Sequence, residues 1–153
     1  MSEFENLKLK SQLCFALYAA TNAITRAYRS RLSQVGLTYP QYLVLMVLWE
    51  SNGITVKGIS DLLQIDSSTI PPLLKRLESE GFVSRQRNDS DERVVNILLT
   101  DTGRNIQATV ANMQKGVACQ TGLPATQFIE LRSTLHQLVD NINENQPDEQ
   151  EAA

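Results

Sequence analysis

The side chains most able to do chemistry in this 153-residue chain are its two cysteines, Cys14 and Cys119. Tyr18 follows Cys14 by four residues, so the two share one face of a helix, and Phe15 lies beside them. A cysteine in such a setting is either a packed core thiol or a reactive group on an aromatic surface. The choice depends on what could stabilise its thiolate.

Two further tyrosines could stabilise a thiolate at Cys14, but Tyr28 cannot do so from within the same helix. Tyr28 lies fourteen residues after Cys14, which is about 21 Å along a helix axis. An antiparallel helix of a second copy could bring Tyr28 of one chain to Cys14 of the other. Hydroxyl hydrogens from Tyr28 and Tyr39 would then favour the thiolate, as would the dipole at the first turn of a helix. Such a thiolate is suited to attack the O–O bond of a peroxide.

The start of the chain and its apolar runs predict a cytoplasmic protein without membrane association. The opening residues, MSEFENLKLK, carry acids where a signal peptide needs a basic flank. The longest apolar run, Tyr42 to Trp49, is far too short to span a bilayer. Because the cytoplasm keeps thiols reduced, the cysteines do not predict a structural disulfide. No cofactor or metal is expected, since the single histidine, His136, has no second ligand at metal spacing.

Residues 55–100 predict a winged helix-turn-helix, in a chain that is mainly α with a small β-hairpin wing (α+β). Thr55 caps a first short helix whose apolar residues recur at helical spacing, and a turn follows at Gln64 to Asp66. A second helix with leucines at helical spacing ends at Gly81. Two strand-like runs, 82–86 and 94–99, then flank a polar tip at 87–93, which is the predicted wing.

The stretches DSSTIPPLLKRLESEGFVSR, DSDER and LTDTG in this segment resemble the MarR family of bacterial transcription regulators. The resemblance implies a recognition helix whose N-terminal residues enter the major groove of double-stranded DNA. It also implies a wing that reaches the adjacent backbone or minor groove. A winged helix used only for protein contact is the alternative. The side chains expected to contact DNA are Ser67, Ser68, Thr69, Lys75, Arg76, Arg87 and Arg93.

The recognition helix contains two adjacent prolines, Pro71 and Pro72, where members of the family commonly carry one. If Asp66 caps the helix, both prolines remove a hydrogen bond from the helical ladder. A start at Ser68 places Pro71 where no backbone N–H is needed. The later start is therefore favoured.

The charge of the same segment is unusual for a part that binds DNA. Residues 55–100 hold six basic and seven acidic side chains. Binding to phosphates therefore requires the basic side chains to gather on one face, with Asp61, Glu78 and Glu80 turned away.

The helices on either side of this segment are expected to form a dimerisation layer. Apolar residues at helical spacing mark helices within 10–36 and 101–143, and a nearly all-apolar helix at 38–52 is expected to be the buried central helix. The flanking stripes exceed what the winged helix can cover, which favours a homodimer around a two-fold axis. Helices that merely fold back onto the winged helix are the alternative. Residues 144–153 are predicted to be a disordered acidic tail.

The stretch LCFALYAATNAITRAYRSRLSQVGLTYPQYLVLMVLWE is similar to the organic-hydroperoxide sensors within the MarR family, the OhrR-like branch. In that branch a cysteine placed as Cys14 is oxidised by an organic hydroperoxide, and tyrosines placed as Tyr28 and Tyr39 hold its sulfur across the dimer. Phe15 and Tyr18 are expected to line the peroxide pocket. Oxidation of such a protein releases its operator.

A subgroup of these sensors has a second cysteine, placed as Cys119, that resolves the oxidised sulfur as an intersubunit disulfide. The resemblance therefore implies that Cys14 of one chain joins Cys119 of the other. A mixed disulfide of Cys14 with a small thiol, and an incidental role for Cys119, both remain open.

Three functions are compatible with the sequence. The first is a redox-sensing repressor, not an enzyme, that binds a pseudo-palindromic operator when reduced and takes an organic hydroperoxide as its signal. The second is a MarR-like regulator released by a bound aromatic or phenolic ligand, with Cys14 not essential. The third, a thiol peroxidase, is disfavoured because the chain lacks a thioredoxin-like strand pattern and because a peroxidase has no use for a wing.

Overall fold

In a computed structural model, which describes residues 4–91 and 93–146, these residues form seven α-helices and three β-strands. The chain divides into two compact units, Met1–Val117 and Ala118–Ala153. Short 3-10 turns lie before α1, after α1 and before α4. In chain order the elements are α1 (Leu13–Leu32), α2 (Tyr39–Glu50), β1 (Ile54–Thr55), α3 (Val56–Leu63), α4 (Ile70–Ser79), β2 (Val83–Arg87), β3 (Val95–Leu99), α5 (Asp101–Asn105), α6 (Gln107–Gln120) and α7 (Ala125–Glu144).

Helix α2 lies at the centre of the first unit, as its nearly all-apolar sequence predicts. Val44, Leu45 and Leu48 are fully buried, in a cluster that also takes in residues of α1, α3, α4 and β3. Thr38 begins the helix with a capping box. Its hydroxyl accepts the backbone N–H of Gln41, and Gln41 Oε1 accepts the backbone N–H of Thr38 at 2.8 Å. Burial of α2 therefore also fixes the tyrosines at its start.

Helix α3 and the turn after it have the predicted cap and end. The Thr55 hydroxyl accepts the backbone N–H of Gly58 at 3.1 Å. Gln64 ends the helix in the left-handed conformation, with φ of 53°. The amide of Ile65 then donates to the carbonyl of Ser60 at 3.2 Å. These contacts set the sharp turn that leads into the recognition helix.

The recognition helix α4 begins at Ile70, later than a cap at Asp66 or Ser68 would place it. Asp66 instead caps a 3-10 turn over 67–69, where its Oδ1 accepts the backbone N–H of Ser68 at 2.8 Å. Pro71 and Pro72 therefore fall in the first turn of α4, where backbone N–H groups have no helical partner. Both prolines fit the helix without a lost hydrogen bond.

The wing belongs to a three-stranded antiparallel sheet rather than to an isolated hairpin. Strands β2 and β3 form the predicted hairpin, and the two-residue strand β1, which the sequence did not predict, pairs with the other edge of β3. In the register, Ile97 of β3 lies between Arg85 of β2 and Ile54 of β1. The start of α3 is thereby fastened beside the wing.

Residues from α2, α4 and α5 meet where the wing ends. The Trp49 indole N–H donates to the carbonyl of Gly103 at 2.9 Å, and the Thr100 hydroxyl donates to the carbonyl of Gly81 at 2.6 Å. A Cβ at Gly103 would lie 2.2 Å from the backbone oxygen of Phe82, so only glycine fits there. After Thr100, a turn at residue 106 separates α5 from α6.

In the second unit, α7 follows a loop that contains Gly122, with φ of 68°, and Pro124. No residue of α7 is buried, and Ile129, Leu131 and Ile142 are exposed apolar side chains. Helix α7 extends through Glu144, one residue into the predicted tail, and residues 147–153 lie outside those described. Among the described helices, none is long and apolar enough to cross a membrane.

Candidate redox site and nucleic-acid interface

Cys14 lies in the first turn of α1, as the sequence predicts, and its side chain is exposed. It is therefore not packed into the core of its own chain. The rings expected to lie beside it, Phe15 and Tyr18, are 38% and 66% exposed. The start of α1 thus presents a thiol on an open aromatic surface.

Helix α1 is unbroken from Leu13 to Leu32 and carries Cys14 and Tyr28 at opposite ends. Their fourteen-residue separation corresponds to about 21 Å of helix. A direct contact between the Cys14 sulfur and the Tyr28 hydroxyl group therefore cannot form within one chain. It requires a second copy.

Three tyrosines form a cluster where the end of α1 meets the start of α2. The ring centroid of Tyr28 lies 5.2 Å from that of Tyr39 and 5.2 Å from that of Tyr42, and the centroids of Tyr39 and Tyr42 are 5.8 Å apart. The fold thus brings together Tyr28 and Tyr39, the two tyrosines that the sequence predicts to act together. Tyr42 was missed, although its position three residues after Tyr39 puts both on one face of α2.

The pKa values of two tyrosines in the cluster, Tyr39 and Tyr42, are raised. Burial, and then the nearby Tyr28 group, raise the pKa of Tyr39. Burial raises the pKa of Tyr42 far above its ordinary value, and the side-chain hydrogen bond with Tyr28 adds to the shift. Both shifts favour the neutral phenols of Tyr39 and Tyr42, and a neutral phenol can donate its hydroxyl hydrogen to an anion such as a thiolate.

Cys119 is the penultimate residue of α6 and is exposed. Its carbonyl accepts the backbone N–H of Gly122 at 3.1 Å in the turn that ends the helix. The thiol is accessible, which a resolving cysteine requires. The single histidine, His136, is exposed on α7. No group of three or more possible metal ligands occurs among the described residues.

The predicted DNA-reading side chains at the start of the recognition helix are exposed together. Ser67, Ser68 and Thr69 form the 3-10 turn that precedes α4, and none of the three is buried. Side-chain and backbone hydrogen bonds from Ser68 lower the pKa of the Asp66 carboxyl. The Asp66 carboxylate is therefore a cap that fixes this turn.

Two of the acidic side chains in this segment, Glu78 and Glu80, pair with its basic side chains rather than turning away from them. Arg76 of α4 lies 3.7 Å from Glu80, and Glu78 of α4 lies 3.1 Å from Arg85 of β2. Lys75 is exposed on α4. Long side chains of α4 and of the neighbouring strand β2 meet at the protein surface, so the acidic side chains lie beside the basic ones. These exposed ion pairs are weak, and a phosphate can displace the carboxylate.

The tip of the wing is held by aspartate and asparagine turns. Asn88 Oδ1 accepts the backbone N–H of Ser90 at 2.8 Å, and Asp91 Oδ1 accepts the backbone N–H of Arg93 at 3.0 Å. The side chains of Arg87, at the end of β2, and Arg93 are exposed. Both are thus carried on an ordered hairpin.

A family model for the transcriptional regulators SarA/Rot matches residues 26–110 of the chain. The regulator TtmR of Methylorubrum extorquens (strain PA1) is 48% identical over 135 residues, which cover 88% of this chain and 69% of TtmR. The organic hydroperoxide resistance transcriptional regulator of Bacillus subtilis (strain 168) is 35% identical over 94% of this chain and 97% of its own. The chain belongs to the MarR/SarA-type transcription regulators.

Solved structures of MarR-type regulators share the fold of this chain. Reduced AbfR bound to DNA is 36% identical, with a TM-score of 0.78 over 94% of this chain and 98% of AbfR. Overoxidized AbfR bound to DNA is 40% identical, with a TM-score of 0.70 over 89% and 98% of the two chains. Disulfide-formed AbfR is 36% identical, with a TM-score of 0.64 over 93% and 94%. The winged-helix fold is therefore shared, and the homologues are transcription regulators rather than enzymes.

Proposed function

We propose that the protein is a redox-sensing repressor. As a homodimer in the cytoplasm, the reduced form binds a pseudo-palindromic operator, with half-sites about one helical turn apart. Oxidation of Cys14 by an organic hydroperoxide, followed by its bonding to Cys119 of the other subunit, releases the DNA. The observation that carries the proposal is the contact between the rings of Tyr28 and Tyr39, with centroids 5.2 Å apart. This contact makes one pair of hydroxyl donors from residues on two helices.

A second copy of the chain completes the site. Because α1 separates Cys14 from Tyr28 within one chain, the tyrosine pair of one subunit would serve the cysteine of the other. Two antiparallel α1 helices would create two equivalent sites related by a two-fold axis. Phe15 and Tyr18, which are exposed beside Cys14, would pack against the organic part of the hydroperoxide.

The first chemical step is a two-electron oxidation of Cys14. Its thiolate attacks one oxygen of the hydroperoxide ROOH, so that an S–O bond forms and the O–O bond breaks. The alkoxide leaves and takes a proton to become the alcohol ROH. The sulfur is then a sulfenic acid, and the peroxide has been reduced. Hydroxyl groups of Tyr28 and Tyr39 would hold the thiolate before the attack.

The second step uses Cys119 as the resolving thiol. Its thiolate attacks the sulfenic sulfur of Cys14, an S–S bond forms, and the S–O bond breaks with release of water. The exposure of both sulfur-bearing side chains supports this step. A disulfide needs Cα atoms within about 7 Å. Its formation would pull the helices that carry the two cysteines and shift the dimer toward a form that does not fit DNA.

Operator binding before and after peroxide treatment tests the proposal. A duplex selected from a random pool by the reduced protein is titrated with reduced protein and with protein treated with cumene hydroperoxide. We expect roughly 5- to 150-fold weaker binding after treatment, the usual range for coupled sites, and recovery with dithiothreitol. Cys14→Ser is the matched control, and it should bind the duplex at the parent affinity with or without peroxide.

The other outcomes separate the alternatives. Operator binding that ignores hydroperoxide but is lost with an aromatic or phenolic ligand would select the ligand-released regulator. Continuous consumption of hydroperoxide with an external thiol would select a peroxidase.

The pairing of the cysteines has its own test. On non-reducing gels the treated parent should run as a covalent dimer, and Cys119→Ser should remain a monomer with a trappable sulfenic acid at Cys14. A peptide that links Cys14 to Cys14, or to a small thiol, would contradict the resolving role of Cys119.

A further inference from the structure

An open groove of about 500 Å³ lies between the first turn of α3 and the strands of the wing. It exists because β1 pairs with β3 and so holds Thr55 and the start of α3 beside the hairpin. Its floor is apolar and consists of Val56 from α3 and Val94 and Val95 from the wing. The groove therefore separates the helix-turn-helix from the wing along their shared edge.

Three basic side chains, those of Lys57, Arg85 and Arg93, also line this groove. Lys57 lies 3.0 Å from Asp61 on α3, and its side chain is 84% exposed. Arg85 forms its 3.1 Å ion pair with Glu78 across a surface that is also open to solvent. Because exposed ion pairs contribute little to stability, both basic groups can exchange their carboxylate for another anion. The groove thus combines an apolar floor with a cationic rim.

The position of the groove indicates which anion it takes. In a winged helix the recognition helix enters the major groove and the wing reaches the neighbouring minor groove, while the first helix of the motif crosses the backbone. One sugar-phosphate strand separates those two grooves of the duplex, so it must pass between the helix-turn-helix, on the side of α3 that lines the groove, and the wing. Its phosphates are anionic, and its deoxyribose rings have apolar faces. Both properties match the groove.

We infer that this groove seats the sugar-phosphate strand between the two DNA grooves, with Lys57 and Arg85 on its phosphates and the valine floor under a deoxyribose. The inference rests on the DNA-binding part of the proposed function and adds two phosphate contacts to it. Such contacts carry no sequence information. They fix the distance between the base-reading turn before α4 and the wing, and they strengthen binding to all duplexes alike.

The salt dependence of binding is the first test. Reduced parent protein, Lys57→Gln and Arg85→Gln are titrated with a duplex selected from a random pool and with a scrambled duplex. Each subunit of the dimer loses one phosphate contact, so each substitution should lower the slope of log K against log salt by about 1.8. The affinity lost through the substitution is then roughly 18-fold greater at 0.2 M salt than at 1 M salt. The loss should be equal for both duplexes. Lys115→Gln, at an exposed position on α6, is the matched control for the change in net charge and should keep the parent slope.

A double-mutant cycle, which combines Lys57→Gln with uncharged phosphate analogues in the duplex, decides whether Lys57 contacts a phosphate directly. Single methylphosphonates are placed along the strand of the selected duplex that runs between the major-groove half-site and its flanking minor groove. At the contacted position the methylphosphonate should weaken binding of the parent but leave binding by Lys57→Gln unchanged. Unchanged thermal unfolding of Lys57→Gln would show that the substitution does not act through the fold.

Two outcomes would overturn the inference in different ways. In the first outcome the parent binds DNA, but the losses of binding free energy from Lys57→Gln and from a methylphosphonate add at every position. The groove would then not hold the strand. A parent protein that enriches no duplex from the pool would overturn both this inference and the DNA-binding part of the proposed function.

Discussion

The phenol groups of Tyr28, Tyr39 and Tyr42 are close enough to act as one unit, with ring centroids between 5.2 and 5.8 Å apart. Packing of the rings fixes the directions in which their hydroxyl groups can donate. Burial keeps the Tyr39 and Tyr42 groups neutral by raising the pKa of each. The cluster is therefore a rigid source of hydrogen-bond donors, which costs less entropy than ordering flexible side chains around a thiolate.

Tyr28→Phe should slow the oxidation of Cys14 without disturbing the fold. The ring that packs against Tyr39 and Tyr42 stays, whereas one donor to the thiolate and the hydrogen bond with Tyr42 are lost. A hydrogen bond of ordinary net strength predicts a rate lower by roughly two- to twelvefold. The loss of free thiol is followed after mixing with cumene hydroperoxide, with Tyr18→Phe as a control that keeps the exposed ring. Oxidation of Tyr28→Phe at the parent rate would remove the donor role of Tyr28.

The stability of the protein should fall at high pH because of the same cluster. The folded-state pKa of Tyr39 and that of Tyr42 are raised above their ordinary value of 10.0. The neutral phenols therefore favour the folded state fully below pH 10, and this contribution is lost as the pH rises above that value. Urea unfolding between pH 8 and pH 11 should show the decline in the free energy of unfolding. Tyr42→Phe should make this free energy fall less steeply with pH. Tyr18→Phe, which removes an exposed phenol outside the cluster, is the matched control.

At the scale of single residues, the types and spacings in the sequence predicted most of the candidate site. The place of Cys14 in the first turn of α1 followed from helical periodicity, and the tyrosines at 28 and 39 from their chemistry. Tyr42 was missed because α2 reads as a nearly continuous apolar run, in which one more aromatic ring looks like core. That Tyr28 joins the tyrosines of α2 depends on how α1 packs against α2, which no local pattern specifies.

At the scale of elements, Gly103 is the described glycine at which an added Cβ would make the shortest contact. A methyl group there would collide with the backbone oxygen of Phe82 at 2.2 Å, whereas a methyl group at Gly116 would meet only the guanidinium of Arg31 at 3.2 Å. Backbone cannot move aside as a flexible side chain can. The residue that leads into β2 and the helix that follows β3 are therefore held at a fixed distance.

Gly103→Ala should lower the free energy of unfolding by about 1–3 kcal/mol, the usual cost of overpacking. Gly116→Ala, also on a helix, should change it by less than about 1 kcal/mol, because the gain in helix propensity offsets a small shift of Arg31. Urea unfolding of the two variants beside the parent measures both effects. Equal destabilisation by the two substitutions would contradict the close approach of Gly103 to Phe82.

The elements that the sequence did not predict are those defined by pairing at a distance. Strand β1 has two residues and exists only because Ile54 and Thr55 pair with residues of β3 some forty positions later. No periodicity can emerge from two residues. The recognition helix is the opposite case, since its prolines at 71 and 72 favour a late start from local sterics alone, and α4 begins at Ile70.

For the whole molecule, net charge is a poor guide to its interactions. The chain carries a formal charge of −3, yet it belongs to a family of transcription regulators. Acidic side chains of the winged helix pair with its basic side chains, as in the 3.1 Å ion pair of Arg85 and Glu78. How charges pair depends on tertiary packing, which is why composition could not predict it. Composition likewise does not explain the exposed apolar side chains of α1 and α7, which the proposed dimer would cover.

The proposed assembly has a consequence that a mixture of two variants can test. Cys14→Ser lacks the thiol but keeps Tyr28, and Tyr28→Phe keeps the thiol but lacks the donor. If Tyr28 acts across the dimer, every Tyr28→Phe chain paired with a Cys14→Ser chain regains a complete site, because its Cys14 faces the Tyr28 of its partner. Refolding Tyr28→Phe with an excess of Cys14→Ser should therefore restore oxidation of the remaining Cys14 to the parent rate. The matched control replaces the second variant with the double variant Cys14→Ser, Tyr28→Phe, which offers no donor and should leave the rate slow. Slow oxidation in both mixtures would mean that Tyr28 acts within its own chain or not at all, and the 20-residue length of α1 makes direct action within one chain impossible.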